Sequence, residues 1–463
     1  MSKVEDALKS AKETKALWIG TNVLSTIADL FREQFPGKNA VIIADNNTYE
    51  VAGRHVEKFI SDAGIVQEKP FIFTNPDLHA EYKYIDELTS FLRTTDAIPV
   101  AVGSGTINDL TKLSSHLTDR RYICVATAAS MDGYTSFGAS ITADGAKQTF
   151  NCPAPQACLA DIEIIRKAPR EMTAAGYADL FAKIVAGADW ILADALDIEP
   201  IHKEAWNIVQ GGLHDALSDP AGVKNGDPEA IRKLLEGLML GGFAMQCSQT
   251  SRPASGAEHY FSHLWDMTHH THKGELVSHG FQVSLGTVAI TAFYEQLLKT
   301  PIENLCIEDV CNEWPTLEMT EQKILKMFKG TGFTERCLLE TRAKYISRIQ
   351  VFGQLQLFKE KWPETKYKLE NQLLPLEDLK MKLHAVGAPV EPEEISITRK
   401  TLRKTFIKSQ YLRNRFTIID LSVRTDLMNT WLRSMFGKYG VWKNLKSHQK
   451  NKTHTTKRRN SQN

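Results

Sequence analysis

Short apolar runs alternate with amphipathic stretches over the first 165 residues of the chain. Four runs are almost wholly apolar, as in strands that a parallel sheet buries on both faces: residues 40–45, 70–74, 97–102 and 122–127. Three stretches between them have the apolar spacing of helices: residues 48–63, 84–94 and 106–117. The alternation predicts βαβ units and an open parallel sheet, which binds ligands at the carboxyl ends of its strands.

The pattern changes after this region. Asp144-Gly145 lies between two alternating segments and predicts a hairpin, and residues 157–165 are a last strand candidate. Over residues 169–436 the apolar period is helical. One helix is expected to begin at Asp227-Pro228, with the aspartate as its N-cap.

These patterns predict an α/β N-terminal domain followed by an all-α domain. We place the first domain at residues 1–167 and the second at residues 168–440. Residues 441–463 are predicted to be a basic, disordered tail, because residues 443–463 hold seven Lys or Arg and no acidic residue.

Composition narrows the class of protein. Lys and Arg number 56 against 55 Asp and Glu, so a protein built wholly to bind nucleic acid is not expected. No apolar run approaches the roughly 20 residues of a membrane span. The mixed charges at the N-terminus lack a signal core, and the seven cysteines contain no CxxC. We therefore expect a cytoplasmic protein with free thiols.

Histidines are concentrated in one segment: six of the 14 lie between His259 and His279. His259 and His263 are four residues apart and share a helix face, which suits two ligands of one metal, or one ligand and one substrate contact. A catalytic zinc needs three protein ligands, and His279 is a further candidate. The three other histidines have no such spacing and are expected in a loop: His269, His270 and His272.

Two polar segments follow neighbouring predicted strands. Residues 103–109 (GSGTIND) open a helix, where small residues and free N–H groups could bind a diphosphate; an ordinary tight turn would look the same. Residues 127–136 (TAASMDGYTS) carry hydroxyls that could contact phosphate, ribose or the nicotinamide amide, and Asp132 could accept hydrogen bonds from a polyol. The alternative for this second segment is a polar loop.

Asp179 is an isolated carboxylate in a small and apolar segment, AGYADLFAK. It is either an N-capping residue or an anionic third metal ligand. Lys183, one turn later, either meets an anionic group of the substrate or pairs with a carboxylate.

The order of the motifs resembles that of sn-glycerol-1-phosphate dehydrogenases, and of their bacterial branch most. The resemblance covers roughly residues 18–436 and rests on GSGTINDLTK, SMDGYTS, AGYADLFAK, SGAEHYFSH, HGFQVSLGT and LRNRFTIIDL. This family belongs to the superfamily of iron-containing alcohol dehydrogenases, glycerol dehydrogenases and dehydroquinate synthases. The resemblance implies a Rossmann-like N-terminal domain, a helical metal-binding domain and an active site in the cleft between them.

It also implies roles for individual residues. Those that would bind NAD(H) or NADP(H) are Asp45, Gly103, Ser104, Gly105, Thr106, Ile107, Thr127, Ala128, Ala129, Ser130 and Ser136. Asp179, His259 and His279 would hold one divalent metal, zinc or nickel, with iron as a further candidate. Asp132, Asp179 and His263 would contact the substrate, dihydroxyacetone phosphate or sn-glycerol 1-phosphate.

Alternatives remain within the same fold: a glycerol or other polyol dehydrogenase, or a lyase like dehydroquinate synthase. A nucleotide-binding protein tethered by its basic tail is a non-enzyme alternative. Arg252, Lys183 and Lys273 are candidate partners of a substrate phosphate. Two positions depart from the expected pattern, since Ser104 and Ser284 stand where glycine is expected. We expect a homo-oligomer, with a dimer favoured.

Overall fold

The computed structural model describes residues 3–143 and 146–443 of the chain. The described residues form ten strands: β1 (Ala16–Gly20), β2 (Ala40–Asp45), β3 (Phe71–Phe73), β4 (Ile98–Gly103), β5 (Ile123–Ala126), β6 (Ala139–Ala143), β7 (Ala146–Phe150), β8 (Ala157–Asp161), β9 (Thr271–His272) and β10 (Glu275–Leu276). Six of them make one parallel sheet in the order β1-β8-β5-β4-β2-β3. The strands β6 and β7 form an antiparallel hairpin, and so do β9 and β10.

The connections of the large sheet change direction between β2 and β4. From β2 the chain passes outward to β3, whereas from β4 it passes to β5 on the other side. A crevice opens at such a point beyond the carboxyl ends of the strands, and open α/β sheets bind ligands there. Asp45 ends β2 and Gly103 ends β4, so both flank this crevice.

Seven α-helices belong to the first part of the described chain: α1 (Lys3–Ser10), α2 (Ile27–Gln34), α3 (Asn46–Thr48), α4 (Arg54–Asp62), α5 (Tyr82–Leu92), α6 (Gly105–Leu117) and α7 (Ile162–Ile165). A π-helical segment, Tyr49–Gly53, precedes α4, and a 3-10 turn, Val23–Thr26, precedes α2. Helices α2, α4 and α6 pack against the sheet, whose central strands β2 and β4 are buried along nearly their whole length.

The rest is almost wholly helical. Its described helices are α8 (Arg170–Ala195), α9 (Lys203–Gln210), α10 (Leu213–Ala216), α11 (Pro220–Asn225), α12 (Pro228–Ser248), α13 (Ala257–Met267), α14 (His279–Lys299), α15 (Ile307–Asn312), α16 (Leu317–Met327), α17 (Thr334–Lys344), α18 (Arg348–Gln372), α19 (Leu376–Val386), α20 (Arg399–Ser409), α21 (Ile418–Arg424) and α22 (Met428–Phe436). Two 3-10 turns, Ile302–Asn304 and Pro392–Ile395, lie between them. Helix α8 is buried on all sides over Thr173–Ala193, and its charged residues in this range, Asp179, Lys183 and Asp189, are buried together with the apolar ones.

The fold class predicted from the pattern is confirmed: a parallel α/β part is followed by a helical part. Residues 40–45 form β2 as predicted, and Asp227 caps α12 by accepting from the N–H groups of Glu229 and Ala230. The predicted strand at 157–165 is wrong in its second half, because residues 162–165 form α7. The turn residues Asp144-Gly145 lie outside the described residues, between β6 and β7.

At both ends of the described chain, the observed packing does not follow the predicted domain boundaries. Helix α1 packs on α12 through Val4 and Ala7, which contact Leu240 and Phe243, so it belongs with the helical part. Trp442 is fully buried, so packing continues into the range 441–463 that was expected to be disordered. Residues 444–463 lie outside the described residues. Across the described helices, none is both long and apolar enough to cross a membrane.

Candidate active site

Three helices bring one carboxylate and two imidazoles together at the edge of the cleft. Asp179 lies in the third turn of α8, His259 in the first turn of α13, and His279 is the first residue of α14. One ligand atom from each of the three lies within 4.8 Å of the other two. An N-capping role for Asp179 is therefore wrong, because α8 begins nine residues earlier at Arg170.

Glycines let these helices approach closely enough to form the cluster. A Cβ atom on Gly280 would lie 2.2 Å from the carbonyl oxygen of Ala175, so α14 contacts the backbone of α8 directly. A Cβ atom on Gly286 would lie 2.4 Å from the carbonyl oxygen of Glu258, which fixes α13 against α14 in the same way. Any side chain at either position would push Asp179, His259 and His279 apart.

Each imidazole has a polar partner on the side away from the cluster. Nδ1 of His259 lies 2.8 Å from Oε1 of Glu258, and Nδ1 of His279 lies 2.9 Å from Oγ of Ser262. These contacts leave Nε2 of both rings facing the cluster, an arrangement typical of metal-binding histidines. One carboxylate and two imidazoles fit a divalent cation of the zinc, nickel or iron type. Neither Glu258 nor Ser262 was identified from the sequence.

A buried lysine joins the two acidic residues of the site. Nζ of Lys183 lies 2.6 Å from Oδ2 of Asp132 and 2.9 Å from Oδ1 of Asp179, and the backbone N–H of Asp132 donates to Oδ2 of Asp179. Burial alone would raise the pKa of Asp179, but Lys183 and the two histidines hold it well below its usual range. Burial and the charge of Asp179 raise the pKa of Asp132. Of the two roles proposed for Lys183, pairing with carboxylates is the one observed.

The three histidines of the site differ in their affinity for a proton. Burial lowers the pKa of His279 to about 3, and the charges of Lys147 and His259 act in the same direction. Burial, followed by the charge of Arg413, lowers the pKa of His263 well below its usual range. Burial opposes protonation of His259 as well, but hydrogen bonds with Asp179 and Glu258 raise its pKa.

A second pair of buried carboxyl groups lies behind His259. Asp189 accepts hydrogen bonds from the Tyr294 hydroxyl at 2.6 Å and from the backbone N–H groups of Ile418 and Ala257. Oε2 of the neighbouring Glu258 is buried and has no hydrogen-bond partner among the described residues. Burial and the charge of Glu258 raise the pKa of Asp189 to about 7. No periodic pattern along the chain indicates this pair.

The glycine-containing turn lies where β4 passes into α6. Gly103 leaves no room for a side chain, because a Cβ there would lie 2.6 Å from Cβ of Ile107. Ser104 is the N-cap residue of α6 but makes no side-chain hydrogen bond to the first turn. The N–H groups of this turn can therefore bind an anion, and Gly105 and Thr106 are half-buried at the cleft wall.

The other residues expected to bind cofactor lie on both sides of this turn. Gly103 pairs with Ala126, so residues 127–130 follow β5 beside the turn. Within that segment Thr127, Ala128 and Ala129 are buried and Ser130 is half-buried, whereas Ser136 lines the cleft. Asp45 lies at the end of β2, where Oδ1 accepts from the N–H of Thr48 and caps the short helix α3. Within the described residues, no hydrogen bond to its other carboxylate oxygen is found.

The cleft has a volume of about 1240 Å³, and Asp132, Asp179, His259, His263 and His279 line it. None of the three cations suggested as phosphate partners is free to bind one. Lys183 is held by two carboxylates, and Arg252 is fully buried, donating to the carbonyl oxygens of Phe416 and Asp189. Lys273 lies in the β9–β10 turn and does not line the cleft. The cleft wall holds other cations instead, among them Arg413.

Comparisons with known proteins agree with this geometry. Residues 18–169 match the iron-containing alcohol dehydrogenase family. A glycerol-1-phosphate dehydrogenase (NAD(P)+) of Halalkalibacterium halodurans is 33% identical over 293 residues, 63% of this chain and 73% of the relative. The Bacillus velezensis protein of that name is 32% identical over 299 residues, 63% of this chain and 75% of the relative. A probable glycerol dehydrogenase of Sinorhizobium meliloti 1021 shares the fold, with a TM-score of 0.57 at 14% identity over 90% of this chain and 96% of that one.

Proposed function

The chain belongs to the glycerol-1-phosphate dehydrogenase family, within the iron-containing alcohol dehydrogenases, and we propose that it reduces dihydroxyacetone phosphate to sn-glycerol 1-phosphate. It is a metal-dependent oxidoreductase that uses NAD(P). The observation that carries the proposal is the meeting of Asp179, His259 and His279 in the same cleft as the first turn of α6. The reaction consumes the ketone, one hydride from NADH or NADPH and one proton.

In this proposal, residues of the helical part hold the metal, and residues at the edge of the sheet hold the cofactor. Asp179, His259 and His279 hold a divalent metal, which when bound polarises the substrate carbonyl. The first turn of α6 holds the cofactor diphosphate, and Ser136 and residues 127–130 contact it further along. Asp45 receives the adenosine ribose. The nicotinamide supplies the hydride, and the protein supplies its position.

Proton delivery falls to His263 in this proposal. Its imidazole lies one turn from His259 on α13, with ring centroids 6.3 Å apart, and it lines the cleft. Because burial and Arg413 keep the ring neutral, His263 can donate its ring N–H proton to the substrate oxygen while its other nitrogen takes up a proton from water. Asp132, oriented by Lys183, accepts a hydrogen bond from the substrate hydroxyl.

The proposed reaction is tested with purified protein loaded separately with zinc, nickel or iron. Dihydroxyacetone phosphate and NADH or NADPH are added, and the absorbance of the reduced nicotinamide is followed. We expect oxidation with at least one metal, and a product that an enzyme specific for sn-glycerol 3-phosphate does not convert. Absence of turnover with all three metals refutes the proposal, and turnover of unphosphorylated ketones alone favours a polyol dehydrogenase.

The metal site is tested with a matched pair of histidine variants. His259→Ala is expected to lose bound metal and turnover. His272→Ala is the control, because His272 belongs to the same segment but its Nδ1 contacts Oγ of Ser396 outside the cluster. Equal metal content in both variants would overturn the ligand assignment. A homo-oligomer, with a dimer favoured, remains a proposal that light scattering of the purified protein tests.

A further inference from the structure

One arginine of the cleft wall has no partner in the described part of the chain. Arg413 lines the cleft and is half-buried, and its guanidinium makes no hydrogen bond and no ion pair within residues 3–143 and 146–443. Burial lowers its pKa, and the nearby Arg336 adds to this effect. An arginine remains charged under such conditions, so the cleft wall carries a positive charge that no carboxylate neutralises by contact.

The other lysines and arginines of the cleft wall already have polar partners. Lys83 pairs with Glu81 at 2.8 Å, and Lys147 lies 3.4 Å from Oδ2 of Asp266. Arg415 donates to the carbonyl oxygen and hydroxyl of Ser255 and to the hydroxyl of Ser251, at 2.6–2.8 Å. Arg413 therefore differs from its neighbours in having all its donors available.

The segment that carries Arg413 is fixed on both sides. Tyr411, Leu412 and Phe416 are buried, and the Tyr260 hydroxyl donates to the carbonyl oxygen of Arg415 at 3.0 Å. Arg252 donates to the carbonyl oxygen of Phe416 at 3.0 Å. The fixed backbone holds the Cα atom of Arg413 in place at the cleft wall, and the planar guanidinium can bind a phosphate through two parallel hydrogen bonds.

The position of Arg413 also suits the proposed substrate. His263 lies one helical turn beyond His259, an advance of about 6 Å along α13, and the charge of Arg413 acts on His263. A substrate whose carbonyl oxygen lies at the metal ligands extends its next carbon and phosphate over a similar distance. Arg413 lines the same cleft as His263 and the three candidate metal ligands, so its guanidinium is available to the phosphate of such a substrate.

We propose that Arg413 binds the phosphate of a phosphorylated ketone and makes the enzyme select phosphorylated over unphosphorylated substrates. This inference rests on the proposed function. It names Arg413 as the group that decides between a glycerol-1-phosphate dehydrogenase and a dehydrogenase of unphosphorylated polyols. Such a guanidinium contributes to binding a dianion but has nothing to contact in dihydroxyacetone. Its effect therefore depends on the substrate's phosphate.

Turnover of two substrates by Arg413→Met tests the proposal. We expect kcat/KM for dihydroxyacetone phosphate to fall about 10- to 100-fold, and that for dihydroxyacetone to change by less than about threefold. Arg342→Met is the matched control, because Arg342 is exposed, pairs with Glu321 at 2.6 Å and does not line the cleft. Equal losses for both substrates, or no loss, would overturn the proposal.

A binding measurement separates this proposal from the proposed function. With metal and NAD+ present, inorganic phosphate is expected to raise the melting temperature of the wild-type protein and of Arg342→Met, but not of Arg413→Met. If the wild type reduces neither ketone, the proposed function fails. The melting-temperature measurement with inorganic phosphate then tests by itself whether Arg413 binds phosphate. A wild type that reduces dihydroxyacetone but not its phosphate refutes both proposals.

Discussion

Nδ1 of His259 lies 2.8 Å from Oε1 of Glu258, the residue that precedes it on the same helix. The same carboxylate oxygen accepts from the backbone N–H of Gly256 at 2.6 Å, which holds the carboxylate in place at the start of α13. Glu258 thus fixes both the ring orientation and the tautomer of His259. A positioning residue of this kind has effects that can be measured apart from catalysis.

Replacing Glu258 should weaken metal binding without unfolding the protein. Glu258→Gln keeps an oxygen for His259 but loses the negative charge, so we expect metal affinity to fall about 10-fold or more. Competition with a chelator measures the affinity, and Glu50→Gln is the control because Glu50 is an exposed partner of Arg54. An unchanged affinity in Glu258→Gln would show that the contact has no role in metal binding.

His263 should affect turnover and leave the metal in place. For His263→Gln we expect kcat to fall about 10²- to 10⁴-fold, the usual range for loss of a proton-transfer group. Metal content should match that of the wild type, because the three ligand atoms come from other residues. His272→Gln provides the control for substitution in the same segment. A kcat within about twofold of wild type would assign proton transfer to another group.

The stability of the metal-free protein should depend on pH through Asp189. Burial and Glu258 raise its pKa to about 7 in the folded state, above the value of roughly 3.9 in an unfolded chain. The folded state therefore binds this proton more tightly. The stabilisation is complete below pH of about 4 and is lost as pH rises through about 7, by up to about 1.4 kcal/mol per pH unit.

Urea unfolding of wild type and Asp189→Asn at several pH values measures this contribution. The variant has no proton to lose, so the slope of its free energy of unfolding between pH of about 5 and 8 should be smaller than that of wild type. Asp197→Asn serves as a control at an exposed carboxylate that pairs with Lys361. Identical slopes in all three proteins would contradict the raised pKa.

Two glycines on different helices should respond to alanine with opposite signs. A Cβ on Gly176 of α8 would lie 1.9 Å from the carbonyl oxygen of Ala129, and backbone cannot yield there cheaply. We expect Gly176→Ala to cost about 1–3 kcal/mol. Gly353 of α18 has no atom within 4 Å of such a Cβ, so Gly353→Ala should stabilise by about 0.5–1 kcal/mol. Urea unfolding would detect both changes, and equal signs would contradict the packing described.

The alternation of apolar runs was enough to predict the sheet, because buried parallel strands carry a strong local signal. Edge strand β1 was missed, since four of its five residues are half-exposed and the run is short. Residues 162–165 were assigned to a strand because a short apolar run does not distinguish strand from helix. In both segments, β1 and residues 162–165, burial depends on contacts with distant parts of the chain, and the local pattern does not reveal those contacts.

The site could be predicted only in part. The spacing of His259 and His263 indicated a shared helix face, and the resemblance indicated Asp179 and His279. Glu258 was missed because adjacent helical residues normally face different directions. Arg413 follows His263 by 150 positions in the sequence, so only the folded chain places its charge beside that imidazole.

Helix α1 gives the chain an unusual path at its start. The described chain starts with α1, which packs on α12 in the helical part, and then enters the sheet at β1. It returns to the helical part between β8 and α8. Near the first crossing, Gln246 accepts hydrogen bonds from the backbone N–H groups of Glu13 and Thr14. The sheet is therefore connected to the helical part through two separate segments, residues 11–15 before β1 and residues 166–169 after α7. A break of the chain in either segment would leave the two parts covalently joined through the other.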